Sequence, residues 1–308
     1  MGRINKIAVL YGGSSSEREI SLQSGIGIHK AIIELGFDSD LIDYNHLKYL
    51  QELKNYDFVF NALHGFEGEG GKLQQDLDNL KILYSGSKSD ACFKTWNKKL
   101  TKQILKENNI STPIWQEFNF DNDIIKEGLQ SSYFDKFRPF KYLFLKPQED
   151  GSSVDIFKIK DDQSFVKAYQ NCSNLNREFM FEEFIDGPEF TVTLIGEQCL
   201  PPIEIISKND FYDYDAKYLS DETVLKEARL NVDELSEIKT TSLNAFRALN
   251  CKAWGRVDLI QCSRSGKFYV IEINTVPGMT SHSCVPKSAS FLDISYKEVV
   301  RKIIDASI

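Results

Sequence analysis

Two rhythms of apolar residues interleave over the first ninety positions. KIAVLY, starting at Lys6, is an unbroken apolar run that ends at Gly12-Gly13; apolar residues then recur at helical spacing from about Ser16 to Leu35, and Gly36 stops them. DLIDY and DFVFNAL are further buried strands, GKLQQDLDNL is helical, and KILY is a last strand before Ser85-Gly86. Strands alternating with helices predict an open parallel sheet with helices on its faces.

The rhythm changes near Lys94. KTWNKKLTKQILKENN reads as one amphipathic helix ended by Asn109 and Ser111-Thr112-Pro113. YLFLKPQEDGSSVDIFKI reads as two strands around a Gly-Ser turn, and EFMFEEFIDGPEFTVTLI as a second such hairpin around Asp186-Gly187-Pro188. A long polar loop of about 207–230 follows, then a helix (VDELSEIKTTSLNAFRALN), a hairpin, a Gly/Pro/Ser loop and a terminal helix. The class is therefore α/β with α+β character in the central and C-terminal parts. Three parts are expected, 1–93, 94–187 and 188–308. With no internal repeat or low-complexity linker, they should pack closely around shared clefts.

Composition narrows the function. The chain has 308 residues, 42% of them hydrophobic, with a net charge of −8. An acidic average field argues against a nucleic-acid partner. No apolar stretch approaches the ~20 residues that span a bilayer, and the first apolar run is too short for a secretory leader. Six scattered cysteines without a C-x-x-C pair read as reduced thiols, and the four histidines have no metal-ligand spacing. These features point to a cytoplasmic protein.

The segment richest in chemistry is WGRVDLIQCSRSGKFYVIEINTVPGMTSHS. Alternation along a strand puts Val257 and Leu259 on one face, Arg256 and Asp258 on the other. In the returning strand Tyr269, Ile271 and Ile273 share a face opposite Glu272 and Asn274. One register sets Asp258 against Glu272 and Arg256 against Asn274. It requires an odd-numbered turn, such as Arg264-Ser265-Gly266 with glycine in the left-handed position. Two carboxylates and an amide on one face suit magnesium, which shares its shell with water and phosphates. A solvated polar face with cross-strand pairs explains the same pattern about equally well. The Gly/Ser/Thr loop that follows, with donors for a small anion, tips the balance.

Other residues fit a nucleotide cleft. Lys146 lies on an apolar strand, where an ammonium needs an anion or an opening, although snorkelling lysines are common. EDGSSV offers backbone N–H groups to phosphates. Glu182-Glu183 and then Glu189 follow a strand edge that could receive a base. Ser14 with Glu17 fits an S-x-x-E capping box, so Glu17 has a structural role open to it. His64 sits at a strand end, a usual place for ligand-binding groups in open α/β sheets.

YGGSSSEREISLQSG, LHG, GSSV, GPEFTV, FYDYDAKYLSDET, WGRVDL and EINTVPGMTSHS occur in this order along nearly the whole chain. In these strings the chain resembles the D-alanine–D-alanine ligases. The resemblance implies a three-domain ATP-grasp architecture, ATP with two magnesium ions (manganese able to substitute), D-alanine substrates and a cytoplasmic homodimer serving peptidoglycan synthesis. It implies Lys98 and Lys146 on the phosphates, and Glu182, Glu183, Ile185 and Glu189 around adenine and ribose. Asp258, Glu272 and Asn274 would hold the metals. Glu17 would fix the first D-alanine's amine, with His64 near its carboxylate. Ser152 and Tyr218 would join Glu17 in closing the 207–230 lid, whose Lys217 reaches the transferred phosphoryl group. Arg256 and the Gly278 backbone would stabilise the tetrahedral intermediate, and Ser283 with Cys284 would hold the second carboxylate. Tyr218, a phenylalanine in relatives that make the D-lactate ester, points to the amide.

The chain departs from the family pattern at Asn97 (usually aspartate), Asp155 (glycine), Glu183 (lysine), Val276 (serine) and LKEAR in the lid. Extra acids in an ATP site oppose phosphate binding. Two other readings follow: a ligase with D-lactate or D-serine as acceptor, and a catalytically silent nucleotide-binding relative.

Overall fold

The computed structural model describes residues 4–120, 142–151, 155–206 and 224–308. Its first sheet is β1 (Lys6–Tyr11), β2 (Asp38–Asp43) and β3 (Phe58–Asn61) in the order β2-β1-β3, all parallel. Both faces of β1 and β3 are covered, which is why their apolar runs are continuous rather than alternating. Ile7, Val9, Phe58 and Phe60 face helix α1 (Arg18–Glu34), whereas Ala8, Leu10 and Val59 face Leu73 and Leu77 of α3 (Lys72–Asn79), which follows the short α2 (Phe66–Glu69). The expected KILY strand is reduced to one parallel bridge, Val59 to Tyr84.

The single helix expected from Lys94 is two. Helix α4 (Ser89–Trp96) and helix α5 (Lys98–Glu107) meet at Asn97, whose backbone is extended. Asn97 Oδ1 accepts from the Leu100 N–H at 3.0 Å while its Nδ2 donates to Glu149 at 2.8 Å. An asparagine therefore caps α5 as an aspartate would, and adds a donor.

A four-stranded antiparallel sheet, β4-β7-β5-β6, forms the centre: β4 (Trp115–Phe118), β5 (Leu143–Pro147), β6 (Phe157–Ile159) and β7 (Phe179–Glu183). Phe118, Leu145, Phe179 and Phe181 pack on Phe165 of α6 (Asp162–Asn171). Strands β5 and β6 form the expected hairpin, with Leu143 opposite Ile159. The second expected hairpin is not one. β8 (Glu189–Ile195) leaves for another sheet, and Asp186–Pro188 is a crossover held by β12 (Trp254–Gln261) and its turn. A Cβ on Gly187 would sit 1.8 Å from the Gln261 carbonyl, so only glycine lets the crossover pass.

The last sheet runs β11-β10-β8-β12-β13, with β9 (Gln198–Cys199) paired to β8. It contains β10 (Ile203–Ile206), β11 (Val224–Glu227) and β13 (Phe268–Asn274) and is backed by α7 (Val232–Ala248). β11 lies inside the span expected to be a loop and contains most of LKEAR; Lys226 faces Glu204 across the ladder. Residues 207–223 of that span lie outside the described residues. Helices α8 (Cys284–Ser290) and α9 (Tyr296–Ala306) close the chain. Val285, Val299 and Ile303 share one core with Ile7, Val9 and Phe60 of the first sheet, and Val276, a departure from the family, is buried in it.

Candidate functional site

One cleft is lined by strands of the central and last sheets, with Glu17 added from the segment that follows β1. Glu17, Lys98, Lys146, Glu182, Glu183, Ile185, Glu189, Arg256, Glu272 and Asn274, all singled out from sequence, line it. Phe144, Ile260 and Ile271 add apolar surface suited to a planar base.

The hairpin β12–β13 holds the acidic end. Asp258 faces Glu272, and Arg256 faces Asn274, as the sequence predicts. The turn is different. The Cys262 N–H donates to the Lys267 carbonyl and the Cys262 carbonyl accepts from the Gly266 N–H, closing a four-residue loop that ends at Gly266, φ +71°. A bulge at Ile271 then restores the parity that an odd-numbered loop would have supplied. The bulge also corrects the expected faces. Phe268 and Val270 join Ile273 in the core with Val257 and Leu259, while Ile271 turns to the cleft.

Asp258 is buried and, unlike Glu272 and Asn274, is not among the residues lining the cleft. Both its oxygens accept from Arg256, Nε to Oδ1 and Nη2 to Oδ2 at 2.9 Å, and Thr191 donates to Oδ1 at 2.5 Å. The bidentate guanidinium neutralises it. Two carboxylates and an amide oxygen on one side of one hairpin match the small all-oxygen share of the shell that magnesium takes from protein. Among the described residues no cluster of three or more His, Cys, Asp or Glu could hold a metal ion, and the Asn274 amide oxygen accepts from the Val276 N–H at 3.1 Å.

On the central sheet, Glu182 lies between two lysines. Lys146 Nζ is 2.6 Å from Oε1, and Lys102 Nζ is 2.5 Å from Oε2. Lys102 also donates to Thr112 Oγ1 at 2.9 Å and the Pro113 carbonyl at 3.1 Å, and its side chain is fully buried. Burial pushes its ammonium down to about 8 against the pull of Glu182. Burial opposes charge on Glu182 too, but the two lysines hold its carboxyl below the usual range. Sequence reasoning missed Lys102. Its signal was present: Lys102 lies four residues after Lys98, beside the buried Thr101 and Leu105 on α5.

Lys98 donates to the Asp150 carbonyl at 2.5 Å. Two extra acids prove to be engaged elsewhere. Glu183 accepts from the Ile114 N–H at 2.9 Å, and burial raises its carboxyl. Asp155 pairs with Arg177 and accepts from the Ser173 N–H and hydroxyl. Its φ of +54° explains why glycine suits the position.

The substrate end meets several expectations differently. Glu17 lines the cleft, but no capping box forms; Ser14 binds Glu67 through its N–H and hydroxyl, and Glu17 gives α1 no side-chain cap. His64 is buried outside the cleft lining, with Nδ1 donating to the Val276 carbonyl at 2.9 Å and Nε2 3.4 Å from Ser24 Oγ. Burial lowers its pKa, so it stays neutral and ties the first sheet to the loop after Asn274. Ser283 Oγ accepts from the Thr280 N–H at 3.0 Å and lies 2.9 Å from the position of a Cβ on Gly278. The Cys284 side chain packs with Ile203 and Ile205, away from the cleft lining. Ser152, Lys217 and Tyr218 lie outside the described residues.

Glu69 was not singled out from sequence, yet it lines the cleft. It accepts from the Gly65 N–H at 2.9 Å. Burial, then Glu17, pushes its carboxyl up to about 8. A carboxyl raised on folding gives stability that is complete below its unfolded pKa, near 4, and is lost as pH rises towards 8. Glu69→Gln should therefore flatten the fall in thermal midpoint between pH 5 and 9, measured without magnesium. An unchanged slope would mean the carboxyl is not strained.

This arrangement of sheets around one nucleotide-sized cleft is an ATP-grasp fold. The chain resembles the D-alanine–D-alanine ligase of Bacillus anthracis complexed with ATP (TM-score 0.85, 29% identity, covering 98% of this chain and 97% of that one). It also resembles the VanG D-Ala:D-Ser ligase of Enterococcus faecalis (TM-score 0.83, 25% identity, 99% and 100%). The D-alanine–D-alanine ligase of Marinomonas sp. is 39% identical over 96% of this chain and 94% of its own length. That of Marinobacter nauticus is 37% identical over 98% and 90%. The family model for the D-Ala D-Ala ligase C-terminus matches residues 104–305. The chain belongs to the D-alanine–D-alanine ligase family.

Proposed function

We propose that the protein joins two D-alanine molecules into D-alanyl-D-alanine, with ATP and two magnesium ions (or manganese), for peptidoglycan synthesis. The observation that carries this is the convergence, in one cleft, of Lys98 and Lys146 with Arg256, Glu272 and Asn274.

Glu182, Glu183, Ile185 and Glu189 receive the adenosine, and Lys98 and Lys146 meet the phosphates. Asp258, Glu272 and Asn274 hold magnesium, which when bound neutralises the triphosphate. Glu17 holds the ammonium of the first D-alanine. A carboxylate oxygen of that D-alanine attacks the γ-phosphorus and ADP leaves. The amine of the second D-alanine, having lost a proton, attacks the acyl carbon, and phosphate departs. Arg256 and the Gly278 N–H steady the oxyanion between those events. Ser283, with the backbone of Cys284, faces the second carboxylate. Ser152, Lys217 and Tyr218 belong to the lid reading, which keeps water from the acyl phosphate. His64 acts by holding the loop behind Asn274. A cytoplasmic homodimer completes the proposal; among the described residues no helix is long and apolar enough to cross a membrane.

Purified protein with ATP, magnesium and D-alanine should release phosphate and the dipeptide in equal amounts. Phosphate without that dipeptide would point to another acceptor such as D-serine or D-lactate. No D-alanine-dependent phosphate would leave a silent nucleotide binder.

A further inference from the structure

Among the described residues, a cluster of charge not yet given a role lies beside the cleft, next to Asp150 and Gly151. The Arg177 guanidinium meets the carboxylates of both Asp150 and Asp155. Its Nε donates to the Asn174 carbonyl at 3.3 Å and its plane lies over the Phe179 ring, 5.6 Å from the centroid. The Asp155 side chain is only 8% exposed and that of Arg177 21%, so water screens this pair less than a rim ion pair. Asp150 and Gly151 line the cleft, and the Asp150 carbonyl is the atom that holds Lys98 Nζ.

We propose that Arg177 is a positioning residue for nucleotide binding: it neutralises the two aspartates and, through Asp150, fixes the carbonyl that aims the Lys98 ammonium. Without it, two carboxylates would flank a site that must accept a triphosphate, and the carbonyl holding Lys98 would lose its anchor. Asp155 makes the requirement stricter. It occupies a left-handed backbone conformation that an aspartate keeps only at some cost, and its side-chain contacts with Arg177 and Ser173 offset that cost. The inference rests on the nucleotide reading of this cleft.

The test is calorimetric titration of the full-length protein with magnesium and a non-hydrolysable ATP analogue, joined to steady-state kinetics. Arg177→Ala should weaken the analogue by about tenfold and raise KM for ATP similarly, with KM for D-alanine within about twofold. Arg177→Lys should keep part of the charge effect but lose the two-pronged contact, falling between the two. Asp155→Gly alone should bind at least as tightly as the unsubstituted protein. In that background Arg177→Ala should cost only about threefold, because one acid fewer is left uncompensated. Equal affinity in Arg177→Ala and the unsubstituted protein overturns this proposal alone. So does a loss of affinity that Asp155→Gly does not reduce, or one matched by an equal rise in KM for D-alanine. Failure of the unsubstituted protein to bind the analogue brings down the nucleotide reading and this proposal with it.

Discussion

Asp258→Asn is expected to lower turnover by about a thousandfold while the protein stays folded, because on the proposed function one charge of the metal site is removed and the shape is kept. The substitution has to be asparagine. Asp258 is buried with both oxygens on Arg256 and one on Thr191. Alanine would strip the guanidinium of its partner, and a broken buried pair costs about 3–5 kcal/mol, so lost activity could then be lost fold. The asparagine amide oxygen still accepts from Arg256 or Thr191, so the sheet should survive. What goes is the negative charge that, in the proposed function, joins Glu272 in drawing a cation to the hairpin. Turnover measured against magnesium concentration should show the requirement shifted upward as well as the maximum lowered. A variant that turns over within tenfold of the unsubstituted protein at the same magnesium concentration would remove Asp258 from the metal site.

The parts legible from sequence were those that local periodicity dictates. The Asp258–Glu272 and Arg256–Asn274 pairings followed from alternation along two strands and hold in the structure. The continuous apolar runs of β1 and β3 announced a sheet covered on both faces. Features set by long-range packing were not legible. Strand alternation contains no term for a bulge, so the faces of Tyr269 and Ile271 came out reversed. Asp186–Pro188 looked like a hairpin turn because nothing local says that β8 pairs with β12 rather than β7. The capping box at Ser14 lost to Glu67, 53 positions away. Lys102 was invisible for the same reason: a lysine on an amphipathic helix reads as solvated until the carboxylate it meets is known. The extra acids were legible as charges, but not their partners, Arg177 for Asp155 and the Ile114 N–H for Glu183.

Lys102→Met should lower kcat/KM for ATP by about a hundredfold while shifting the thermal midpoint only modestly, and that asymmetry follows from how Glu182 is shared. In the free protein Glu182 has two cations, Lys146 on Oε1 and Lys102 on Oε2. Methionine fills most of the lysine volume and leaves Lys146 in place, so the resting carboxylate keeps a counter-ion. Binding a triphosphate is the demanding step. In the proposed function Lys146 is then drawn to the phosphates, and only Lys102 keeps Glu182 from standing as an uncompensated buried charge, a penalty of about 3–5 kcal/mol, roughly two to three and a half decades in affinity. The pH profile supplies a second, independent sign. Burial holds the Lys102 ammonium at about 8, so ATP affinity should fall as pH rises through that value and Lys102 loses its proton. In Lys102→Met that alkaline flank should vanish, leaving weak binding at every pH. Titration with the ATP analogue from pH 6.5 to 9.5, beside thermal unfolding of the free protein, separates the outcomes. Unfolding without loss of affinity in the folded fraction would reduce Lys102 to a packing role, and an alkaline flank that persists in the variant would assign it to another group.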